Sequence, residues 1–249
     1  MQPDRLTWLG HATVLIELGG VRLLTDPVLR SRVAHLRRHA PPAPATGELD
    51  AVLVSHAHRD HLDVPSLRGL RPAPRELVVP PGVGRIVRGK TGAHVQELPA
   101  GGALDVGAAR VLAVPAVHDT RRSPVSGASE AVGFVVEAAG RRVYFAGDTS
   151  VFDGMSDLGP LDVALLPIWG WGPSLGPGHM DPGEAVDALE LLRPEVAVPI
   201  HWGTLLPIGL RRRHGHVLRA PLEAFVRGAG ERCPDVRLAV LDPGGQVAL

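Results

Sequence analysis

The chain contains 249 residues, of which 45% are hydrophobic, and its 26 basic and 26 acidic side chains give a formal net charge of zero. A balanced charge excludes a strong overall attraction to nucleic acids or membrane surfaces, and no apolar run reaches the ~20 residues of a membrane-spanning helix. Cys233 is the only cysteine, so no intrachain disulfide forms. Since the first residues also lack the pattern of a secretory signal, we expect one cytoplasmic domain over residues 1–249.

Short apolar runs rich in β-branched residues recur along the chain and predict β-strands. In chain order these runs are 5–9, 13–18, 21–25, 51–55, 77–79, 95–98, 110–114, 131–137, 142–146, 163–166, 196–200, 237–241 and 246–249. Gly19 and Gly20 separate two of the runs, and Gly140 separates another two, which predicts tight hairpins at both places.

Three segments have the pattern of helices. Asp181, Pro182 and Glu184 match a capping box with proline at the first helical position, and the apolar residues that follow share one face. Shorter helices are predicted at 63–67 and 221–228. Many strands with interspersed helices predict an α/β (α+β) fold in which helices cover two sheets.

Two segments, 30–46 and 205–219, concentrate arginine and histidine without a clear strand or helix pattern. We predict that both are loops that can move. Their basic side chains are either solvated faces or a rim that attracts an anionic substrate.

Seven side chains of the kinds that bind metals follow apolar runs. Four of them lie within six residues directly after the strand predicted at 51–55, and each of the other three follows a later run. The seven are His56, His58, Asp60, His61, His118, Asp148 and His201. One such residue alone is well explained as a helix cap or a hydrogen-bonded core histidine. All seven at strand ends, which meet at one edge of a sheet, predict a metal centre.

The segment from His56 to His61 reads His-x-His-x-Asp-His, and on this motif the chain resembles the metallo-β-lactamase superfamily over nearly its whole length. Five further motifs resemble the branch that includes N-acyl-phosphatidylethanolamine phospholipase D and ascorbate-6-phosphate lactonase. These motifs lie at 8–12, 24–27, 145–149, 179–182 and 201–204. The resemblance implies a four-layer αββα sandwich with metal ions at one edge.

The resemblance also implies two divalent ions with three side chains each and one bridging carboxylate. The first ion would be held by His56, His58 and His118, the second by Asp60, His61 and His201, and Asp148 would bridge them. Such a ligand set suits Zn²⁺, and its carboxylates are also compatible with Mn²⁺ or Fe²⁺. Two ions ~3.5–4 Å apart can share a hydroxide that attacks a carbonyl or phosphorus centre, which would make Asp60 part of the catalytic group.

Five other residues have predicted roles around this centre. Asp26 is expected to fix the tautomer of a ligand histidine, or else to be a turn residue. His179 is expected to protonate the leaving group. His11, Trp169 and Arg121 are expected to contact the substrate, although His11 also fits a buried structural histidine and Arg121 a solvated charge.

These residues predict a metal-dependent hydrolase that acts on an anionic small molecule, either a phosphodiester or a phosphorylated compound. The same centre would open a lactone or hydrolyse another ester or amide, and only the pocket decides between these bonds. An oxidoreductase with a di-iron centre and a non-catalytic metal-binding scaffold or sensor are the other hypotheses. The segment 99–102 replaces a Trp-rich segment of the phospholipases, which weighs against a lipid substrate. A homo-oligomer is compatible with the sequence.

Overall fold

Two seven-stranded β-sheets form the centre of the protein in the computed structural model, which describes residues 3–120 and 129–249. The first sheet consists of β1 (Arg5–Gly10), β2 (Thr13–Leu18), β3 (Val21–Thr25), β6 (Ala51–Leu53), β7 (Glu76–Val79), β8 (His94–Glu97) and β17 (Gln246–Ala248). The second consists of β9 (Ala103–Val106), β10 (Ala109–Pro115), β11 (Val132–Ala138), β12 (Arg141–Phe145), β13 (Val163–Pro167), β14 (Val196–Ile200) and β16 (Arg237–Leu238). All thirteen predicted strands are present.

Both sheets change from antiparallel to parallel pairing along their width. In the order β17-β1-β2-β3-β6-β7-β8, the first four strands pair antiparallel and the last four pair parallel. The order β9-β10-β11-β12-β13-β14-β16 repeats this arrangement. Strands β10, β12, β13 and β14 therefore run in the same direction, and their carboxyl ends meet at one edge, where parallel sheets place their sites.

Helices cover the outer faces of both sheets. They are α1 (Val64–Gly69), α2 (Gly84–Val87), α3 (Pro182–Leu192), α4 (Arg211–His214) and α5 (Ala220–Arg232), with 3₁₀ turns at Asp153–Leu158 and Gly215–Leu218. Neighbouring side chains of β1 and β2 point to opposite faces of the first sheet. Trp8 and Ile16 join the core between the sheets, whereas Leu15 packs beneath α1 and α2. On the other side α3 and α5 pack together over the second sheet. The predicted four-layer αββα sandwich is confirmed.

The predicted capping box begins α3. The Asp181 carboxylate accepts from the Glu184 backbone N–H at 2.9 Å, and the Glu184 carboxylate accepts from the Asp181 backbone N–H at 3.0 Å. Two otherwise unpaired N–H groups are satisfied in this way. The box fixes the start of α3 at Pro182, three residues after His179. Among residues 3–120 and 129–249, no helix has both the length and the hydropathy needed to cross a bilayer.

The two arginine-rich segments form a third, three-stranded sheet of β4 (Arg32–Val33), β5 (Leu36–Arg38) and β15 (Leu205–Pro207). β5 pairs antiparallel with both neighbours. The prediction of loops at 30–46 and 205–219 is therefore wrong. The pairing joins segments about 170 residues apart, and strands of two or three residues are too short to show an alternating pattern.

Tyr144 lies in the core between the sheets, and its hydroxyl has no hydrogen-bond partner among the residues the structure describes. Burial raises the pKa of this hydroxyl above its ordinary value. An unpaired buried polar group costs about 1–3 kcal/mol. We therefore expect Tyr144→Phe to keep or raise the free energy of unfolding, measured by urea denaturation. The neighbouring Phe145→Ala, which leaves a cavity, should lower it by about 3–5 kcal/mol. A clear loss of stability in Tyr144→Phe would contradict this expectation.

Candidate metal centre

The structure brings all seven predicted metal-type side chains together at the edge where the strand ends meet. His56, His58, Asp60 and His61 lie on the segment between β6 and α1. His118, Asp148 and His201 follow the carboxyl ends of β10, β12 and β14. Both sheets therefore contribute to the cluster, which falls into two groups of three side chains with Asp148 between them.

His56, His58 and His118 form the first group, and their ring nitrogens lie within 4.8 Å of one another. Burial lowers the pKa of all three rings, that of His118 to about 4. They are therefore neutral imidazoles, the form that binds metals. His118 Nδ1 donates to the Gly178 carbonyl at 2.6 Å, which leaves the Nε2 lone pair pointing at His58 Nδ1, 3.0 Å away. Gly178 has φ +78°, and a Cβ there would lie 2.9 Å from His118 Nδ1.

Asp60, His61 and His201 form the second group, and a ring nitrogen of His11 also lies within 4.8 Å of their ligand atoms. His61 Nδ1 donates to Asp26 at 2.7 Å, and His201 Nδ1 donates to the Trp169 carbonyl at 2.8 Å. Burial alone would lower the pKa of His61, but Asp148, Asp60 and Asp26 raise it well above its ordinary value, so this ring carries a proton when no metal is bound. Its Nε2 lies 2.9 Å from His201 Nε2. Two ring nitrogens at this distance repel unless a proton or a metal cation lies between or beside them. The arrangement therefore favours a cation at this position.

Asp148 lies between the two groups. Its Oδ2 is 3.1 Å from His61 Nε2 and 3.9 Å from His56 Nε2, and its Oδ1 is 3.2 Å from His201 Nε2. Burial alone would raise the pKa of this carboxyl, but His201 and His61 hold it well below its usual range, so the group is ionised. Gly147 allows this approach because its φ is +62° and a Cβ there would lie 2.6 Å from Ser55 Cβ.

Asp26 is fully buried and connects both groups through hydrogen bonds. Its carboxylate accepts from the Ser55 backbone N–H at 2.7 Å, from the Ser55 hydroxyl at 2.6 Å and from His61. The Ser55 oxygen lies 2.9 Å from His56 Nδ1 and accepts from it. No local pattern marks Ser55 for a role, since its partner Asp26 is 29 residues away and adjacency to His56 is the only signal in the sequence.

Two buried polar atoms in the cluster have no hydrogen-bond partner in the described part of the chain: His56 Nε2 and Asp148 Oδ1. Buried polar groups are rarely left unpaired in proteins. Both atoms point into the space between the histidine rings, and both are of a kind that binds divalent metals. Imidazoles and ionised carboxylates around one buried space fit a metal centre.

His179 lies at the open side of this cluster. Its Nε2 is 3.3 Å from Asp148 Oδ2, and its ring stands edge-on to the His118 ring with centroids 4.7 Å apart. His179 and Trp169 line the same cavity of about 440 Å³, together with Leu175. Two of the residues predicted to act on the substrate therefore share one opening. Arg121 lies outside the described residues.

His11 does not line an opening, because it is only 1% exposed. Its Nε2 donates to Asp60 at 3.1 Å, and its ring centroid is 3.8 Å from that of His201. The His11 backbone, at φ +54°, accepts from the His201 N–H at 2.9 Å, while Thr204 accepts from the His11 N–H. The predicted substrate contact is thus replaced by a buried contact with Asp60, which corresponds to the structural alternative.

The contacts of Asp26 lead to a test with a measurable magnitude. Asp26→Ala removes the acceptor that orients His61 and Ser55, and loss of such a partner lowers metal affinity by about 10–100-fold. The measurement is a metal titration in competition with a chromophoric chelator. Asp63→Ala is the matched control, since Asp63 is also buried, and in the described part of the chain its carboxylate is hydrogen-bonded to Arg30 and Ser66 rather than to a cluster residue. Equal affinities of the two variants would contradict the role of Asp26.

Two central sheets with a buried histidine and aspartate cluster at their strand ends are the arrangement of a metal-dependent enzyme. A family model described as a beta-lactamase superfamily domain matches residues 21–202. The chain belongs to this family, the metallo-β-lactamase superfamily.

The relatives agree with this assignment. A UPF0173 metal-dependent hydrolase of Methanopyrus kandleri is 34% identical and covers 96% of this chain and 97% of its own. An N-acyl-phosphatidylethanolamine-hydrolyzing phospholipase D of Caenorhabditis elegans is 33% identical over 82% of this chain and 64% of its own. Among solved structures, the metallo hydrolase Igni18 of Ignicoccus hospitalis matches with a TM-score of 0.71 and 25% identity, over 100% of this chain and 99% of its own.

Proposed function

We propose that this protein binds two divalent metal ions, preferably Zn²⁺, and hydrolyses a phosphodiester or a phosphorylated small molecule. His56, His58 and His118 would hold one ion, and Asp60, His61 and His201 the other. The observation that carries the proposal is the position of Asp148, whose two oxygens lie near histidines of both groups. Since both sheets supply ligands, we propose that residues 1–249 act as one domain. We also propose that the protein works in the cytoplasm, because a single cysteine suits a reducing compartment.

Bound divalent ions lower the pKa of water and stabilise negative charge on a substrate oxygen. The protein's own groups would supply orientation and a proton. Asp26 would hold His61 in the tautomer that exposes Nε2. His179 lies at the open side of the cluster, with its Nε2 3.3 Å from Asp148 Oδ2. This position is suited to donate a proton to the leaving group.

One observation favours a phosphorus centre over a carbonyl. The relative from Caenorhabditis elegans is a phospholipase D by name. Trp169, Leu175 and Pro177 give the cavity beside His179 an apolar side that would pack against the remainder of the substrate.

The test begins with elemental analysis of freshly purified protein, followed by a hydrolase panel after loading with Zn²⁺ or Mn²⁺. The panel contains a chromogenic phosphodiester, a phosphomonoester, an ester and a set of lactones. We expect two ions per chain and turnover of a phosphorus compound. A double variant, His58→Ala with Asp60→Ala, is the control and should be inactive.

Other outcomes point elsewhere. Lactone opening without phosphodiester turnover would assign the alternative hydrolase activity. Bound iron together with oxygen consumption would support the di-iron oxidoreductase. Equal turnover in the wild type and the double variant would leave only the scaffold or sensor hypothesis.

A further inference from the structure

A second cavity, of about 500 Å³, lies on the three-stranded sheet, and most of its lining residues are basic. The basic ones are Arg37, Arg38, His39, Arg211 and Arg212. Among the residues that the structure describes, no acidic side chain lines the cavity. None of the lining residues belongs to the seven-residue cluster, so this basic cavity is distinct from the metal centre.

The pairing of distant segments creates the basic cavity. Arg37 and Arg38 lie on β5 opposite Leu206 and Leu205 of β15. The His39 N–H extends the pairing by donating to the Thr204 carbonyl at 2.7 Å. The chain then turns after β15 and enters α4, which places two further arginines beside β5.

Arg38 is the buried cation of this cavity. The residue is only 8% exposed, and its guanidinium donates to the backbone carbonyls of Pro41 at 2.8 Å, Val28 at 3.3 Å and Leu9. Burial lowers its pKa. Within the described residues no carboxylate forms an ion pair with this guanidinium, although buried charges in proteins are normally paired.

The other cationic groups of the basic cavity also lack acidic partners. In residues 3–120 and 129–249, none of the ion pairs includes Arg37, Arg211 or Arg212. Burial and the charges of Arg211 and Arg37 lower the pKa of His39, which lies among them. A concave surface with charges of one sign concentrates the field and attracts counter-ions.

We propose that the basic cavity binds a phosphorylated small molecule that carries at least two phosphate groups. Arginine forks bind phosphate oxygens in pairs. Arg37, Arg211 and Arg212 line one space of a size typical of small-molecule sites, and the buried Arg38 adds its charge. Ile208, which is 42% exposed, supplies an apolar contact at the rim. A concave pocket with one exposed apolar side chain suits a small ligand better than a membrane surface, which requires a larger apolar face.

Isothermal titration of the metal-loaded protein with fructose 1,6-bisphosphate tests the proposal, with inorganic phosphate as the weaker probe. We expect one bisphosphate per chain, with an affinity that falls as the salt concentration rises. The double variant Arg37→Gln with Arg211→Gln should weaken binding by roughly tenfold or more. Arg213→Gln is the matched control, because Arg213 lies on the same helix but does not line the cavity.

Asp148→Asn separates this site from the proposed active site. Bisphosphate binding that survives Asp148→Asn and is lost in the arginine double variant supports the proposal, whether or not the protein hydrolyses phosphodiesters. Equal affinity in wild type and double variant, or binding lost on Asp148→Asn, overturns it. A co-sedimentation experiment with phosphatidylglycerol vesicles completes the test. If the protein binds these vesicles through Arg37 and Arg211 but does not bind the bisphosphate, the small-molecule assignment is also overturned.

Discussion

Asp148→Ala is expected to abolish hydrolysis, with a fall in kcat/KM of about 10³-fold or more. The carboxylate lies within 3.1–3.9 Å of ring nitrogens in both histidine groups and 3.3 Å from His179 Nε2. Its loss leaves several buried imidazoles without the negative charge that offsets a cation. We therefore expect the variant also to contain less metal than the wild type, as measured by elemental analysis.

Asp162→Ala is the matched control for this experiment. Asp162 is a partly buried carboxylate of the same sheet, and it accepts from the Arg142 N–H at 2.7 Å and from Arg141 at 2.9 Å. Its loss should affect stability and leave metal content unchanged. Full metal content and normal turnover in Asp148→Ala would contradict the proposed function.

Removal of the metal ions is expected to lower the Tm by roughly 15–30 °C. Each ion that binds only the folded state adds about 4 kcal/mol at 1,000 times its Kd, and about 1 kcal/mol corresponds to 2–4 °C in a chain of this size. The physical reason lies in the buried cluster, where Asp148 and Asp60 are ionised and the Nε2 atoms of His61 and His201 face each other at 2.9 Å.

The measurement is differential scanning fluorimetry before and after dialysis against a chelator, with metal added back at the end. The double variant, His58→Ala with Asp60→Ala, should show little change on the same treatment, because it lacks a ligand from each group. A wild-type Tm that does not respond to the chelator would rule out a metal centre that stabilises the fold.

Several features of the fold and site follow from short stretches of the chain. The strands β2, β3 and β14 begin and end where their apolar runs predict. The capping box of α3 depends on residues only three positions apart. The His-x-His-x-Asp-His motif likewise lies within six residues, and each remaining ligand candidate directly follows an apolar run, so the whole cluster was predictable from local patterns.

Other features depend on residues that are far apart in the chain. The contact of His11 with Asp60 spans 49 positions, and the bond between Ser55 and Asp26 spans 29. His118 and His201 are each oriented by a backbone carbonyl, which no side-chain pattern reveals.

The amino-acid sequence alone therefore determined the fold class, the strands and the seven-residue cluster, because these follow from periodicity and from residue types at strand ends. Only the tertiary structure decided the third sheet, the buried position of His11 and the basic cavity around Arg38. The pairing of β5 with β15 depends on which distant backbone groups meet. Two short arginine-rich segments have no local pattern that specifies this pairing, so their positions follow only once the two large sheets have packed.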